Sequence, residues 1–256
     1  MARICPLFSG STGNSTYIGC ASGGVLIDAG VGARSICGAL GNLGVDIKHV
    51  SAVFVTHEHT DHIRGLPTLA KKHGIKIYAS EKTAQALAPV VNARVIDGQG
   101  VQAGDMLITR FDTSHDCPGS GGYVVTTPDG HRIGVCTDLG HVSDEVRSAL
   151  TGCDAVLIES NHDVNMLKNG SYPYHTKLRI LSERGHLSNA CCADELPALI
   201  KNGLTRVILG HISRDNNFPE LALTTARTAL LAHGMRENSD YLIWAAPPAG
   251  GRLVVV

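Results

Sequence analysis

Short apolar runs recur along the chain, and several of them stop on a histidine or a carboxylate. Residues 3–8 predict a first strand, followed by the polar loop Ser9-Gly10-Ser11-Thr12-Gly13-Asn14-Ser15. Residues 16–19 and 24–30 predict paired strands, and 33–43 a helix that ends near Gly41 and Gly44. The run 50–55 predicts a strand leading into Thr56-His57-Glu58-His59-Thr60-Asp61-His62. A helix over 63–73 stopped by Gly74, a strand 75–79, a helix 81–88 and a strand 93–97 follow. From 101 to 137 the pattern is strand-rich, with strands at 105–111, 123–127 and 132–137, the last two joined by the turn Pro128-Asp129-Gly130. Ser143-Asp144-Glu145 opens a short helix in capping style. A strand at 155–158 ends on Glu159, and 163–184 reads as two helical pieces split around Pro173. A helix from Asn189 to about 201, a strand 205–209, a helix over 217–233 and strands at 241–245 and 252–256 complete the chain. No repeat or low-complexity linker divides this pattern. It predicts a single α/β domain over 1–256 with two sheets and outer helices, 163–184 being a helical insertion at a sheet edge.

Composition narrows the class. The 43% apolar and 18% charged content belongs to a globular chain, and with four Phe and one Trp the core must be aliphatic. A net charge of −1 lays down no broad electrostatic footprint for nucleic acid, which leaves only a local basic groove open. No apolar run can span a bilayer and the N-terminus lacks the apolar core of a signal peptide, so a cytoplasmic protein with no membrane partner is expected. The eight Cys include no C-x-x-C pair, which argues against a zinc ribbon or a disulfide framework. They read as small buried hydrophobes.

Thirteen His are many for this length, and they gather after apolar runs. Five strands end in a metal-capable residue: His57 with its neighbours, His115, Asp138, Glu159 and His211. Imidazole suits zinc and related divalent ions, and a carboxylate can bridge two of them. His57 and His59, at alternate positions of an extended turn, can face one ion, while Asp61 and His62, at the start of a helix, can face a second. Asp28, at a strand end before Gly30, either orients a ligand histidine or caps the next element. The loop 9–15 either cradles a phosphate with its N–H groups or is a plain hairpin turn.

These residues resemble the metallo-β-lactamase superfamily over nearly the whole chain, with H-x-H-x-D-H at 57–62, then His115, Asp138 in Cys136-Thr137-Asp138, and His211 in Leu209-Gly210-His211-Ile212-Ser213. The resemblance implies an αββα sandwich of two mixed sheets. It implies one metal held by His57, His59 and His115, a second by Asp61, His62 and His211, and Asp138 between them. The complete ligand set looks like that of phosphodiester hydrolases. His186-Leu187-Ser188-Asn189 and the later Gly210-His211-Ile212-Ser213 are similar to tRNase Z, which implies that His186 protonates the leaving group with Glu159 as its partner. The long flexible arm of that family is missing, and 163–184 differs. The stretches Ser9–Asn14, Thr137–Gly140, Glu159–Asp163, Gly185–Asn189 and His211–Ser213 with Asn216-Asn217 resemble the YycJ/WalJ-type branch, DNA exonucleases thought to work from 5′ ends. His141 departs from the tyrosine usual there.

The function so implied is dinuclear, metal-dependent phosphodiester hydrolysis, as a DNA 5′-to-3′ exonuclease using a hydroxide shared by two divalent ions. Histidine-rich ligation favours zinc, and the carboxylates also admit manganese. Asp61 is then ligand and proton acceptor, His186 the proton donor, and Ser11, Asn14 and Ser188 candidates for a neighbouring or terminal phosphate. The alternative is a hydrolase of a small cyclic or nucleotide phosphodiester, or a lactonase or lactamase-like enzyme, which the near-zero charge favours modestly. The complete ligand set with a separate acid argues against a non-catalytic metal-binding protein. Oligomeric state is not legible.

Overall fold

Two seven-stranded sheets face each other in the computed structural model, which describes residues 1–96 and 98–256. The first half supplies β1 (Arg3–Phe8), β2 (Ser15–Cys20), β3 (Gly23–Ile27), α1 (Ala33–Asn42), β4 (Val50–Phe54), α2 (Thr60–Ile63), α3 (Leu66–His73), β5 (Lys76–Ala79), α4 (Glu81–Leu87) and β6 (Arg94–Val95). The second half begins with β7 (Val101–Ala103), β8 (Met106–Asp112), β9 (Gly121–Thr126), β10 (Arg132–Cys136), α5 (Asp144–Leu150) and β11 (Ala155–Glu159). It continues with α6 (Val164–Asn169), α7 (Tyr174–Leu181), α8 (Asn189–Lys201), β12 (Arg206–Gly210), α9 (Pro219–Ala232), β13 (Leu242–Ala245) and β14 (Val254–Val255). The sheet orders are β14-β1-β2-β3-β4-β5-β6 and β13-β12-β11-β10-β9-β8-β7.

Successive strand residues point to opposite faces, which sorts the aliphatic side chains into three layers. Val25 and Ile27 of β3 and Phe54 of β4 meet Tyr123 and Val125 of β9 and Val135 of β10 between the sheets. Leu26 and Val53 turn outward and pack with Ile36 and Leu40 of α1 and Leu66 and Leu69 of α3. On the other side Val156 and Ile158 of β11 pack outward with Val146 of α5, Leu196 of α8 and Leu230 of α9. Helices thus cover both outer faces, giving the αββα layering.

Each sheet is antiparallel at one side and parallel at the other. The parallel sets are β3 to β6 and β10 to β13. Parallel strands deliver their C-terminal ends to one edge, where ligands gather in α/β folds. Three residues just beyond those ends adopt left-handed backbone: Asp28 (φ 62°), Asp138 (φ 58°) and His211 (φ 52°). This conformation is uncommon outside glycine, and strain of this kind collects at functional sites.

The helix expected at 63–73 starts at Thr60 and breaks between Ile63 and Leu66. Gly65 sits at the break because backbone crosses there: a Cβ would lie 2.5 Å from the carbonyl of Val31. The edge strand β7 and a 3₁₀ turn at Ile47–His49 go beyond the expectation. The strand expected at 93–97 is formed by Arg94–Val95, and its last position, Asp97, lies outside the described residues. Residues 163–184 form two helices around Pro173, as the pattern predicts. All eight cysteines are free and six are buried. No helix among the described residues is long and apolar enough to cross a membrane.

Candidate metal centre and acid–base pair

The strand ends converge. β4 runs into Thr56 and His57, and α2 then carries Asp61 and His62 on its single turn. β10 ends before Asp138, β11 on Glu159 and β12 before His211. The ring nitrogens His57 Nε2 and His59 Nδ1 face each other at 3.0 Å, and the His57 and His115 rings meet at 5.0 Å. Asp138 lies between the two sides: its Oδ2 is 3.3 Å from His62 Nε2, and its Oδ1 is 3.5 Å from His211 Nδ1 and 4.0 Å from His115 Nε2.

Donor atoms gather within 4.8 Å of one another in four overlapping groups among the described residues: His57, His59, His115 and Cys117; His57, His62 and Asp138; Asp61, His62 and His211; and Asp138, Glu159, His186 and His211. His115 Nε2, His211 Nε2 and Asp138 Oδ2 are buried without an aligned hydrogen-bond partner. Buried nitrogens and a buried carboxylate oxygen without hydrogen bonds are costly in a fold with no use for them. Imidazole and carboxylate donors at this spacing fit divalent metal, and the chain is built to bind it. The sequence-predicted ligands His57, His59, Asp61, His62, His115, Asp138 and His211 all belong to these groups.

Hydrogen bonds behind the cluster hold the rings. Asp28 Oδ2 is 2.7 Å from His62 Nδ1, while Asp28 accepts from the amide and hydroxyl of Thr56 at 2.8 Å each. Carboxylates bonded to the far nitrogen of ligand histidines fix their tautomer. Of the two readings of Asp28, the structure therefore gives the orienting one. Burial alone would depress His62, but Asp138 and Asp28 outweigh it and raise its pKa to about 9. In the same way burial opposes, and Asp138 and Glu159 outweigh it to raise, His211 to about 10.

Glu159 is completely buried and binds both histidines on its side. Its Oε1 is 2.9 Å from His186 Nδ1 and 2.6 Å from His211 Nδ1, and its Oε2 accepts from the amides of Leu139 and Leu187 at 3.0 Å each. Burial would raise this carboxyl, yet the two histidines hold it down at about 2. His186 keeps partial exposure, and its Nδ1 stands 3.8 Å from Asp138 Oδ1.

The three phosphate candidates are dispersed in role. Asn14 is buried, and its Nδ2 lies 3.0 Å from His62 Nε2 while donating to the carbonyl of Gly10. The Ser188 hydroxyl accepts from the amide of Cys191 and caps α8. Ser11 is exposed on its loop.

Two neighbours of His115 go beyond the sequence reading. Asp116 Oδ1 is 3.2 Å from His115 Nε2, and Cys117 Sγ is 3.2 Å from His59 Nε2. The adjacency His115-Asp116-Cys117 was the available signal. Arg179 Nε bonds Asp116 Oδ2 at 2.5 Å, and Arg184 Nε donates to the His115 carbonyl at 3.1 Å, so the stretch around α7 is fastened to the cluster.

Comparison with known proteins gives the family. Residues 24–212 match a family model described as a β-lactamase superfamily domain. The chain is 35% identical over 251 residues to exodeoxyribonuclease WalJ of Streptococcus pneumoniae serotype 2, covering 94% of this chain and 93% of that one. It is 36% identical over 249 residues to exodeoxyribonuclease YycJ of Bacillus anthracis, covering 94% of each. A crystal structure of the metallo-β-lactamase fold protein YhfI from Bacillus subtilis superposes with a TM-score of 0.71 at 14% identity, over 99% of this chain and 98% of that one, which gives the fold.

Proposed function

This chain belongs to the metallo-β-lactamase superfamily of metal-dependent hydrolases, and from that membership we propose that it is an exodeoxyribonuclease, a phosphodiesterase acting on DNA from the 5′ end. The observation that carries the reading is the Glu159–His186 pair beside Asp138: a proton donor set against the metal cluster suits an alkoxide leaving group. The whole chain acts as one domain, cytoplasmic, with DNA as substrate.

His57, His59 and His115 would hold one ion, Asp61, His62 and His211 a second, and Asp138 would touch both; the histidine excess favours zinc over manganese. Ions bound there would acidify water toward neutrality and offset charge on the phosphoryl oxygens. The chain's own residues do the rest. Asp61, whose side chain is 26% exposed, is the open carboxylate of its group and accepts the proton of the attacking water. His186 gives its Nδ1–H to Glu159 and, acting as the imidazolium, passes its Nε2 proton to the leaving oxygen. Asp28 holds His62 and Glu159 holds His211 in fixed tautomers.

Incubation of zinc- or manganese-loaded protein with end-labelled duplex and single-stranded oligonucleotides tests this. The expected result is mononucleotide release from 5′ ends alone. Cleavage confined to small phosphodiesters overturns the DNA assignment.

A further inference from the structure

Helix α7 turns opposite faces to protein and solvent. Ile180 is buried, whereas Tyr174, Leu178 and Leu181 are 76%, 51% and 38% exposed. Positions i, i+4 and i+7 share one helix face, so the three make a continuous stripe, about 10 Å long at ~1.5 Å of rise per residue. Single exposed apolar residues are ordinary; an aligned row is a mark of contact.

The helix that carries the stripe is tethered beside the metal cluster. Beyond the Arg179 and Arg184 contacts, the amide of His186 donates to the carbonyl of Ile180 at 3.0 Å, which couples the end of α7 to the proton donor. At the other end the Tyr172 hydroxyl donates to Asp215 at 2.7 Å, and Lys177 Nζ donates to the carbonyl of Lys168. The helix is therefore tied down at both ends.

Charge singles out the same stretch. Between residues 163 and 184 lie Lys168, Lys177, Arg179 and Arg184 against Asp163 and Glu183, in a chain of net charge −1. Arg179 is paired with Asp116, so Lys168, Lys177 and Arg184 give the stretch a small positive excess. Aromatic faces beside cations are the means by which proteins hold single-stranded nucleic acid: bases stack, and the backbone follows the positive charge.

We propose that the outward face of α7 is a nucleic-acid platform, on which a base near the scissile phosphodiester stacks on Tyr174 while Leu178 and Leu181 cover sugar and base edges. Lys168, Lys177 and Arg184 attract the adjoining phosphates. This rests on the exodeoxyribonuclease reading and adds where the polymer lies. An unpaired DNA end is the fitting occupant, because its bases offer free apolar faces joined to an anionic backbone.

The test compares Tyr174→Ala with Leu178→Ser, the double variant, and Tyr174→Trp. For single-stranded oligonucleotides the KM of Tyr174→Ala rises roughly tenfold with kcat retained, and Tyr174→Trp restores it. Hydrolysis of bis(p-nitrophenyl) phosphate, too small to reach α7 from the cluster, is unchanged in every variant, which also reports intact folding. A 2-aminopurine base near the DNA end is quenched by the parent and Tyr174→Trp proteins and not by Tyr174→Ala. Parent-like KM and quenching in the double variant overturn the platform and leave the nuclease reading standing. Parent protein that neither cleaves nor binds oligonucleotides overturns both. A dimer that the double variant dissociates, with KM unmoved, assigns the face to a second copy of the chain and overturns the platform.

Discussion

Glu159 Oε1 lies 2.6 Å from Nδ1 of His211, closer than the 2.9 Å that separates it from Nδ1 of His186. One carboxylate thus braces an assigned metal ligand and the assigned proton donor together. Its second oxygen is taken by the amides of Leu139 and Leu187. Glu159→Gln keeps the volume but cannot accept on both sides, because an amide has one oxygen and an NH₂ donor. Metal affinity is expected to fall about 10- to 100-fold together with turnover. Chelator competition measures the first; affinity at the parent level would mean that His211 does not depend on Glu159.

His186 contributes to one of the four donor groups, and the other three are complete without it. His186→Ala should therefore bind metal like the parent. Turnover on oligonucleotides should drop by about 10²- to 10⁴-fold, the usual contribution of a positioned acid. A p-nitrophenyl phosphodiester gives the sharper reading, since its leaving phenolate needs no proton. An equal loss on both substrates would remove His186 from the proton-transfer step.

Asp28 combines left-handed backbone (φ 62°), nearly full burial and three polar contacts, to His62 and twice to Thr56. Asn tolerates this backbone and keeps the shape; Ala does neither. Asp28→Ala leaves the two Thr56 donors and His62 Nδ1 without their acceptor, while Asp138 and Asp61 still face His62 Nε2, and should cost about 1–3 kcal/mol in urea unfolding of the chelated protein. Asp28→Asn should fall between Ala and the parent. A loss below about 1 kcal/mol for Ala would mean that the pair orients His62 without supporting the fold.

The candidate ligands stood out because several follow an apolar run, and a strand read from its period fixes where its end residue emerges. His115, Asp138 and His211 are each ordinary alone, and the resemblance joined them to the His57–His62 cluster as one set. The helix break at Gly65 was not legible, because its cause is the carbonyl of Val31, brought close by tertiary packing. The same holds for the Arg179–Asp116 bond, which joins residues 63 positions apart. Glu159 could be paired with His186 by resemblance, but its closer bond to His211 depends on the parallel register of β11 and β12, where Glu159 sits opposite Gly210. Ser188 carries a helix-capping signature as much as a phosphate-binding one, and its hydroxyl is used as a cap.

Gly30 marks the point where three backbone segments cross behind Asp61. Its amide donates to the carbonyl of Asn14 at 2.7 Å, and the amide of Asn14 donates to the carbonyl of Asp61 at 2.8 Å. A Cβ on Gly30 would stand 1.6 Å from that Asp61 carbonyl and 2.5 Å from the Asn14 amide. These are backbone atoms, so no rotamer change relieves the clash and Asp61 must move. Gly30→Ala is expected to lower the divalent-metal content of purified protein, remove most activity and destabilise the fold. Gly38→Ala is the control: it lies within α1, and nothing stands within 4 Å of its Cβ position. It should stabilise the protein by about 0.5–1 kcal/mol and leave metal content unchanged, since a helix-interior glycine only adds unfolded-state freedom. Parent-level metal content in Gly30→Ala would show that Asp61 tolerates the displacement or is not needed to hold metal.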